Sequence, residues 1–282
     1  MNALNTRRKV LVHIALIIGA FIMAVPFIWM ILTSLKTNAE ATAIPPKIFP
    51  AEAQWKNYVE VFQKFPFMGY YWNTFITTLA KTAGQLLFCS MAAYAFARIK
   101  FPGRDVIFIL YLSVLMVPGQ ALLIPQYQII SNLGLLNTLT ALVLPGLFSA
   151  FGTFLLRQFF LSLPKEVEEA AKIDGCNHFQ IYWKIMLPLA RPGLIALAIL
   201  ITYILQLFKK WSWNDFLWPL IVNSSPSKMP LSAGLATLKG QHATDFPLLM
   251  AGTFLASWPL IVIFMFFQRT FVEGIALSGR QG

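Results

Sequence analysis

The stretch LPKEVEEAAKIDGCNHFQIYWKIMLPLARPG, residues 163–193, decides how the chain is read. It is the one long central segment that mixes charges of both signs with helix-forming residues, and apolar runs flank it on each side. Pro164 stands where a helix can begin, and Glu166, Glu168 and Glu169 follow in the first turns, where the helix dipole favours negative charge. Ala170 and Ala171 are small and strongly helix-forming, so a partner is expected to approach that face closely. Gly175 is expected to stop or sharply bend the helix, because glycine tolerates positive φ. A second amphipathic piece, with Phe179, Tyr182, Trp183 and Met186 among polar neighbours, leads to Leu187 and Pro188. Two short helices at an angle on the inner membrane face are expected, and the pattern fits an interfacial anchor as well as a docking site.

Outward from this segment the composition sets the class. With 57% hydrophobic and 12% charged residues and a mean hydropathy of +0.66, a water-soluble domain is excluded. A span needs about 20 apolar residues to cross about 30 Å of hydrocarbon, so the chain has room for about six helices and modest loops. The expected fold is all-α, a polytopic membrane helical bundle in a single transmembrane domain over residues 1–282. The net charge of +11 comes without any basic run longer than Arg7, Arg8 and Lys9, which fits membrane orientation and not nucleic acid. Cys89 falls in a span and Cys176 in the central polar segment, so no disulfide framework is expected. The first apolar run, residues 10–35, is too long for a signal-peptide core and reads as an uncleaved span.

The spans follow in order. Residues 11–33 form the first, kinked at Pro26, with His13 at its interfacial end. A polar outer loop to about residue 70 contains Pro45-Pro46 and a short interfacial helix over residues 54–64. The second span, residues 71–97, opens on Tyr70, Tyr71 and Trp72 and carries Lys81, which must face the bundle or snorkel outward. After the basic turn ARIKFPGRD, the third span over residues 106–130 is interrupted by Pro118, Gly119 and Pro125. Such breaks belong against protein or a water-filled cavity. The fourth, residues 139–160, is broken at Pro145 and Gly146. The fifth starts near Pro192 and runs into KKWSWNDFLWPLIV, whose aromatics around Asn214 and Asp215 read as an interfacial belt. An external loop over residues 223–245 precedes the sixth span, residues 246–267. Thirteen basic residues fall on the inner side and eight on the outer, placing both termini in the cytoplasm.

The spacing of Glu169-Ala170-Ala171, three residues, Gly175, nine residues, Ile185, one residue and Leu187-Pro188 resembles the EAA motif of the permease subunits of bacterial ABC importers. The resemblance implies a type I importer permease fold, with residues 163–191 as the cytoplasmic loop whose coupling helix sits in a cleft of an ATP-binding subunit. The residues it assigns to coupling are Glu168, Glu169, Ala170, Ala171, Asp174, Gly175, Ile185, Leu187 and Pro188. Four further segments, WNDFLWPLIV at 213–222, MPLSAGL at 229–235, LMAG at 249–252 and FFQRTFVEG at 266–274, resemble the second permease subunit of carbohydrate importers of the maltose-transporter type. Glycerol-phosphate importers share this pattern. By the same resemblance the outer loop at 236–246, with Gly240, Gln241 and His242, reaches into the substrate-binding protein, and Asn214 and Asp215 are candidates for the solute path. Family members commonly end in a tail resembling GAVKG that reaches the ATPase, whereas this chain ends SGRQG.

The implied function is a non-enzymatic transport subunit in the bacterial inner membrane. It pairs with a homologous permease and two ATP-binding subunits and is fed by an external binding protein. The chain lacks a GxxxxGK[ST] phosphate loop, so ATP and Mg are expected in the partner subunits, with no metal or cofactor in this chain. Glycerol phosphate or a polyol is the alternative cargo. An ion-coupled secondary transporter would carry acids within its spans, whereas all 11 acids here fit in loops or at span ends. An intramembrane enzyme would need clustered groups, but His13, His178 and His242 lie in different regions.

Overall fold

The computed structural model describes residues 2–202, 215–236 and 244–278. Its helices begin with α1 (Asn2–Ser34), α2 (Asn38–Ala41), α3 (Lys56–Lys64), α4 (Phe67–Arg98) and α5 (Arg104–Ser113). They continue with α6 (Leu123–Asn132), α7 (Leu139–Val143), α8 (Ala150–Ser162), α9 (Lys165–Ile173) and α10 (His178–Ile181). Last come α11 (Leu187–Leu189), α12 (Arg191–Thr202), α13 (Leu217–Val222), α14 (Leu231–Ala236) and α15 (Phe246–Ser278). By packing they form two units, one of residues 1–67 with 235–282 and one of residues 68–234.

In the first unit α1 packs along α15 and leaves most of its apolar side chains between Val10 and Trp29 exposed, as a helix in lipid does. Asn57 on α3 donates its side-chain amide to the carbonyls of Ser34 (2.8 Å) and Lys36 (3.0 Å), which the end of α1 leaves open. Tyr58 meets Phe254 edge-on at 6.1 Å and shares a 2.7 Å hydrogen bond with Ser34. Lys36, expected in a solvated loop, is instead buried. Its ammonium donates to the Lys47 carbonyl at 2.5 Å and lies 4.6 Å from the centre of the Trp29 ring. Glu40 accepts the backbone N–H groups of Thr37 and Ala51, which hold its carboxyl below the usual carboxylate range.

The second unit is built around α4, which has an inside-out pattern. Its inward stripe repeats every four residues as Thr77, Lys81, Gln85, Cys89, Ala93 and Ala97, all buried, while Met68, Trp72, Phe75 and Leu79 point outward. At one end Asn73 donates to the carbonyls of Ser227 and Met229, both at 2.9 Å, and Leu231 N–H donates to Thr74 Oγ1 at 2.7 Å. Part of the loop expected at 223–245 is therefore packed structure, with Leu231 and Ala233 buried on α14.

By length and composition, residues Arg8–Ser34 make a membrane-spanning stretch. Three bent pairs do so jointly: Arg104–Met116 with Gly119–Asn132 at 100°, Leu139–Gly146 with Ala150–Ser162 at 46°, and His178–Leu189 with Arg191–Ala198 at 71°. The stretch expected to be a third span is thus two arms. Pro118 forces the preceding Val117 into an extended backbone (φ −85°, ψ 124°), and the helix cannot continue through it. The first arm rises only about 20 Å, short of a bilayer core.

A Cβ at Gly234 would overlap the ring of Tyr70, which is itself buried. Gly234→Ala should destabilise the protein by about 1–3 kcal/mol through overpacking. Gly19→Ala, with nothing within 4 Å, should leave the melting temperature of the detergent-solubilised protein unchanged or slightly higher. Equal melting temperatures for the two variants would contradict the packing of α14 on α4.

Candidate coupling site and intramembrane ion pair

The corner between α9 and α10 is fixed by three local devices. The helix begins after Pro164, in an extended backbone (φ −59°, ψ 137°), with Glu166 and Glu168 in its first turn. It ends in a Schellman motif: Gly175 N–H donates to Lys172 O and Cys176 N–H to Ala171 O, each at 3.0 Å, with Gly175 at φ 81°. One residue later Asn177 opens α10 through a capping box, its Oδ1 accepting Gln180 N–H while Gln180 Oε1 accepts Asn177 N–H, both at 2.9 Å. The Asn-x-x-Gln spacing at 177–180 is the sequence signal for this second start.

Beyond α10 the backbone widens into a π-helical turn, Tyr182–Met186, in which Leu187 N–H bonds back to Tyr182 O. Pro188 accounts for it: lacking an N–H, it cannot bond Lys184 O, and its ring crowds the carbonyl four residues back. Ile185 and Leu187 are half-buried in this turn and Pro188 is exposed. Tyr182 is buried and shares a 2.8 Å hydrogen bond with Ser90 of α4.

The residues assigned to coupling divide between two faces. Glu169, Ala170, Asp174 and Gly175 are exposed, but Glu168 and Ala171 turn into the unit, at 4% and 5% exposure. The expectation that both alanines offer a free face is therefore corrected: Ala171 packs in a core with Tyr94, Ala97, Phe160 and Ile181. Helical spacing puts Glu166, Glu169, Ala170 and Ile173 on the outer face, and Ile173 is 87% exposed. Phe179 and Trp183, also exposed, stack at 6.4 Å and 14°. Ile173 is thus a bare apolar side chain at a helix end that the motif spacing did not single out.

The second feature lies midway along α4. Lys81 Nζ sits 3.3 Å from Asp215 Oδ2, with side chains 7% and 20% exposed. The interfacial-belt reading is corrected for Asp215, because its carboxylate meets a buried lysine 14 residues into a 32-residue helix. Of the two courses left open for Lys81, facing the bundle or snorkelling outward, the structure shows the first. Ser232 Oγ donates to Asp215 O at 2.5 Å, and Gln85 Nε2 donates to Gly146 O at 2.6 Å in the break between α7 and α8. A Cβ at Gly146 would lie 3.1 Å from Lys81 Cδ, so that any larger residue there would press on the lysine chain. The hydroxyls of Thr78 and Thr82, beside Lys81 on α4, are buried without a hydrogen-bond partner among the described residues. Asn214, Gly240, Gln241 and His242 lie outside the described residues. Among the described residues no cluster of His, Cys, Asp and Glu is suited to a metal.

Residues 85–276 match the family described as "Binding-protein-dependent transport system inner membrane component". The chain is 38% identical over 269 residues to the arabinooligosaccharides transport system permease protein AraQ of Halalkalibacterium halodurans, covering 93% of each. It is 34% identical to the sulfoquinovosyl glycerol transport system permease protein SmoH of Agrobacterium fabrum, covering 98% of this chain and 93% of the relative. It is 32% identical to the sn-glycerol-3-phosphate transport system permease protein UgpE of Yersinia enterocolitica, covering 94% and 95%. The fold matches a chain of a bacterial ABC transporter involved in import of the acidic polysaccharide alginate, with a TM-score of 0.78, 24% identity and coverage of 95% and 97%. The α9–α10 corner thus sits in a helical chain similar along almost its whole length to transport permeases, and the protein belongs to the family of inner-membrane components of binding-protein-dependent transport systems, the permease subunits of ABC importers.

Proposed function

We propose that this permease subunit carries a carbohydrate across the inner membrane, with the α9–α10 corner as the docking face for an ATP-binding subunit in the cytoplasm. The observation that carries the docking reading is the outward face of α9, where bare Ile173 stands beside Ala170 and Glu169 at a helix end fixed by Gly175. An apolar knob with a flanking carboxylate suits insertion into a protein cleft better than contact with lipid headgroups, which favour basic residues. A homologous permease, two ATP-binding subunits holding ATP and Mg, and an external binding protein complete the assembly. Both termini lie in the cytoplasm, in keeping with the excess of basic residues on that side.

Two of the relatives are named for transport of sugar-containing solutes, arabinooligosaccharides and sulfoquinovosyl glycerol, which favours carbohydrate. The relative named for sn-glycerol-3-phosphate supports a second reading with that cargo. Calorimetric titration of the cognate binding protein with arabinooligosaccharides, sulfoquinovosyl glycerol and glycerol 3-phosphate separates the two. We place Asp215 and Lys81 on the solute path, where a charged pair and two unsatisfied threonine hydroxyls offer hydrogen bonds to a hydroxylated solute.

Gly175→Val should leave the protein inserted in the membrane but sever ATP hydrolysis from uptake. The strain comes from the backbone alone, since nothing lies within 4 Å of a Cβ there, and φ 81° costs a β-branched residue about 1–2 kcal/mol or more. Normal uptake per ATP hydrolysed in proteoliposomes would remove the corner from the coupling path. Asp215→Asn should destabilise by about 3–5 kcal/mol, because the Lys81 ammonium is left buried without its counter-charge. Lys81→Met with Asp215→Leu should restore the melting temperature and not uptake. Recovery of both would make the pair purely structural.

A further inference from the structure

We propose that Arg98 is a positioning residue that clasps the coupling helix to α4, so that α9, the end of α8 and α4 move as one body when nucleotide binds. This rests on the docking reading of α9 given above. Arg98 is the last residue of α4, and its side chain is only 4% exposed. Its Nε donates to Phe160 O at 3.0 Å, and its Nη2 donates to Phe160 O and to Leu163 O, the latter at 2.5 Å. Those carbonyls are at the open C-terminal end of α8, where a cation is also favoured by the helix dipole. The third nitrogen, Nη1, faces Glu168 Oε2 of α9 at 3.9 Å, and Glu168 Oε1 lies 2.9 Å from Lys172 Nζ one turn along. One planar guanidinium at the end of α4 therefore holds the C-terminal end of α8 and faces a carboxylate of α9, which a lysine with a single nitrogen cannot reproduce.

The arrangement is more than packing because the two carboxylates of the motif are divided between partners. Glu169 is left outside for the docking subunit, and Glu168 is turned inside to Arg98. A force on the outer face of α9 then reaches α4 directly, 17 residues from Lys81, and not only α12 through the chain. The helix α9 has nine residues, too few to stay rigid without such anchorage.

The test uses the chain assembled with its partner permease and ATPases in nanodiscs, with Cys89→Ser and Cys176→Ser to free the background and spin labels at Leu87 of α4 and Lys165 of α9. Mg·ATP is the only added ligand. Without substitution the Leu87–Lys165 distance should give one narrow distribution, the same with and without Mg·ATP. Arg98→Gln should retain the ATPase subunits on co-purification, yet its distribution should shift or split when Mg·ATP is added. Arg98→Lys should be rescued in part, and Glu168→Gln, which keeps both carbonyl contacts, should fall between. The proposal is overturned if the unsubstituted distance itself changes with nucleotide, or if Arg98→Gln behaves like the unsubstituted chain. It is equally overturned if none of the three variants assembles, since the clasp would then be only a folding element. The docking reading is read separately: retention of the ATPase by Ile173→Asp overturns that reading, and this one with it.

Discussion

A polar group facing hydrocarbon has no water to bond, so every polar side chain of a spanning helix must find its partner inside the protein. The second unit is organised by that constraint acting on α4. Its outward face is apolar, and its inward stripe serves one neighbour after another. Asn73 and Thr74 take the strand-like backbone before α14, Lys81 takes Asp215, Gln85 takes Gly146 O, Ser90 takes Tyr182, and Arg98 takes the end of α8. These inward groups are thus also tethers, and they set the positions of α8 and α14 against α4.

The same constraint explains why proline and glycine breaks survive in this unit. The interruption at Pro145 and Gly146 exposes carbonyls that would be costly in lipid, but Gln85 satisfies Gly146 O and the Cys89 thiol lies 3.5 Å from Ser149 O. Ser149 then caps α8 through a 3.0 Å bond from Gly152 N–H. A helix break here is a site where backbone from one segment is completed by side chains from another. Trp218, buried on α13, does the same for α7 by donating to Ala141 O at 2.9 Å.

What the sequence revealed, and what it did not, divides along sequence distance. Pro164 as a helix start and Gly175 as its stop rest on signals within a turn or two, and they agree with the structure, whereas the sequence left Lys81 free to face the bundle or to snorkel outward. The partner of Lys81 is 134 positions away, and nothing in the local pattern of aromatics around Asp215 distinguishes a half-buried, ion-paired carboxylate from one at the interface. The 100° turn at Val117 and Pro118 was legible as a break but not as a change of direction, because a proline fixes the local φ and leaves the packing to decide where the next arm goes. The split between Glu168 and Glu169 was also hidden, since both suit the first turns of a helix equally well.

On the proposed docking reading, that split lets a helix too short to be stable alone transmit force. Successive residues on an α-helix point about 100° apart, so adjacent glutamates necessarily face different surroundings, and one can anchor while the other docks. Isolated helices shorter than about 12–15 residues are marginal in water; α9, with nine, therefore owes its shape to Ala171 in the core, to Glu168 beside Arg98 and to the Schellman stop at Gly175. Those three supports lie on the inward side and at the end, and they leave Ala170 and Ile173 bare. With Arg98 as the proposed clasp, the stiffness that a docking partner would feel at Ile173 is that of α4, whose own place is set by its inward polar stripe.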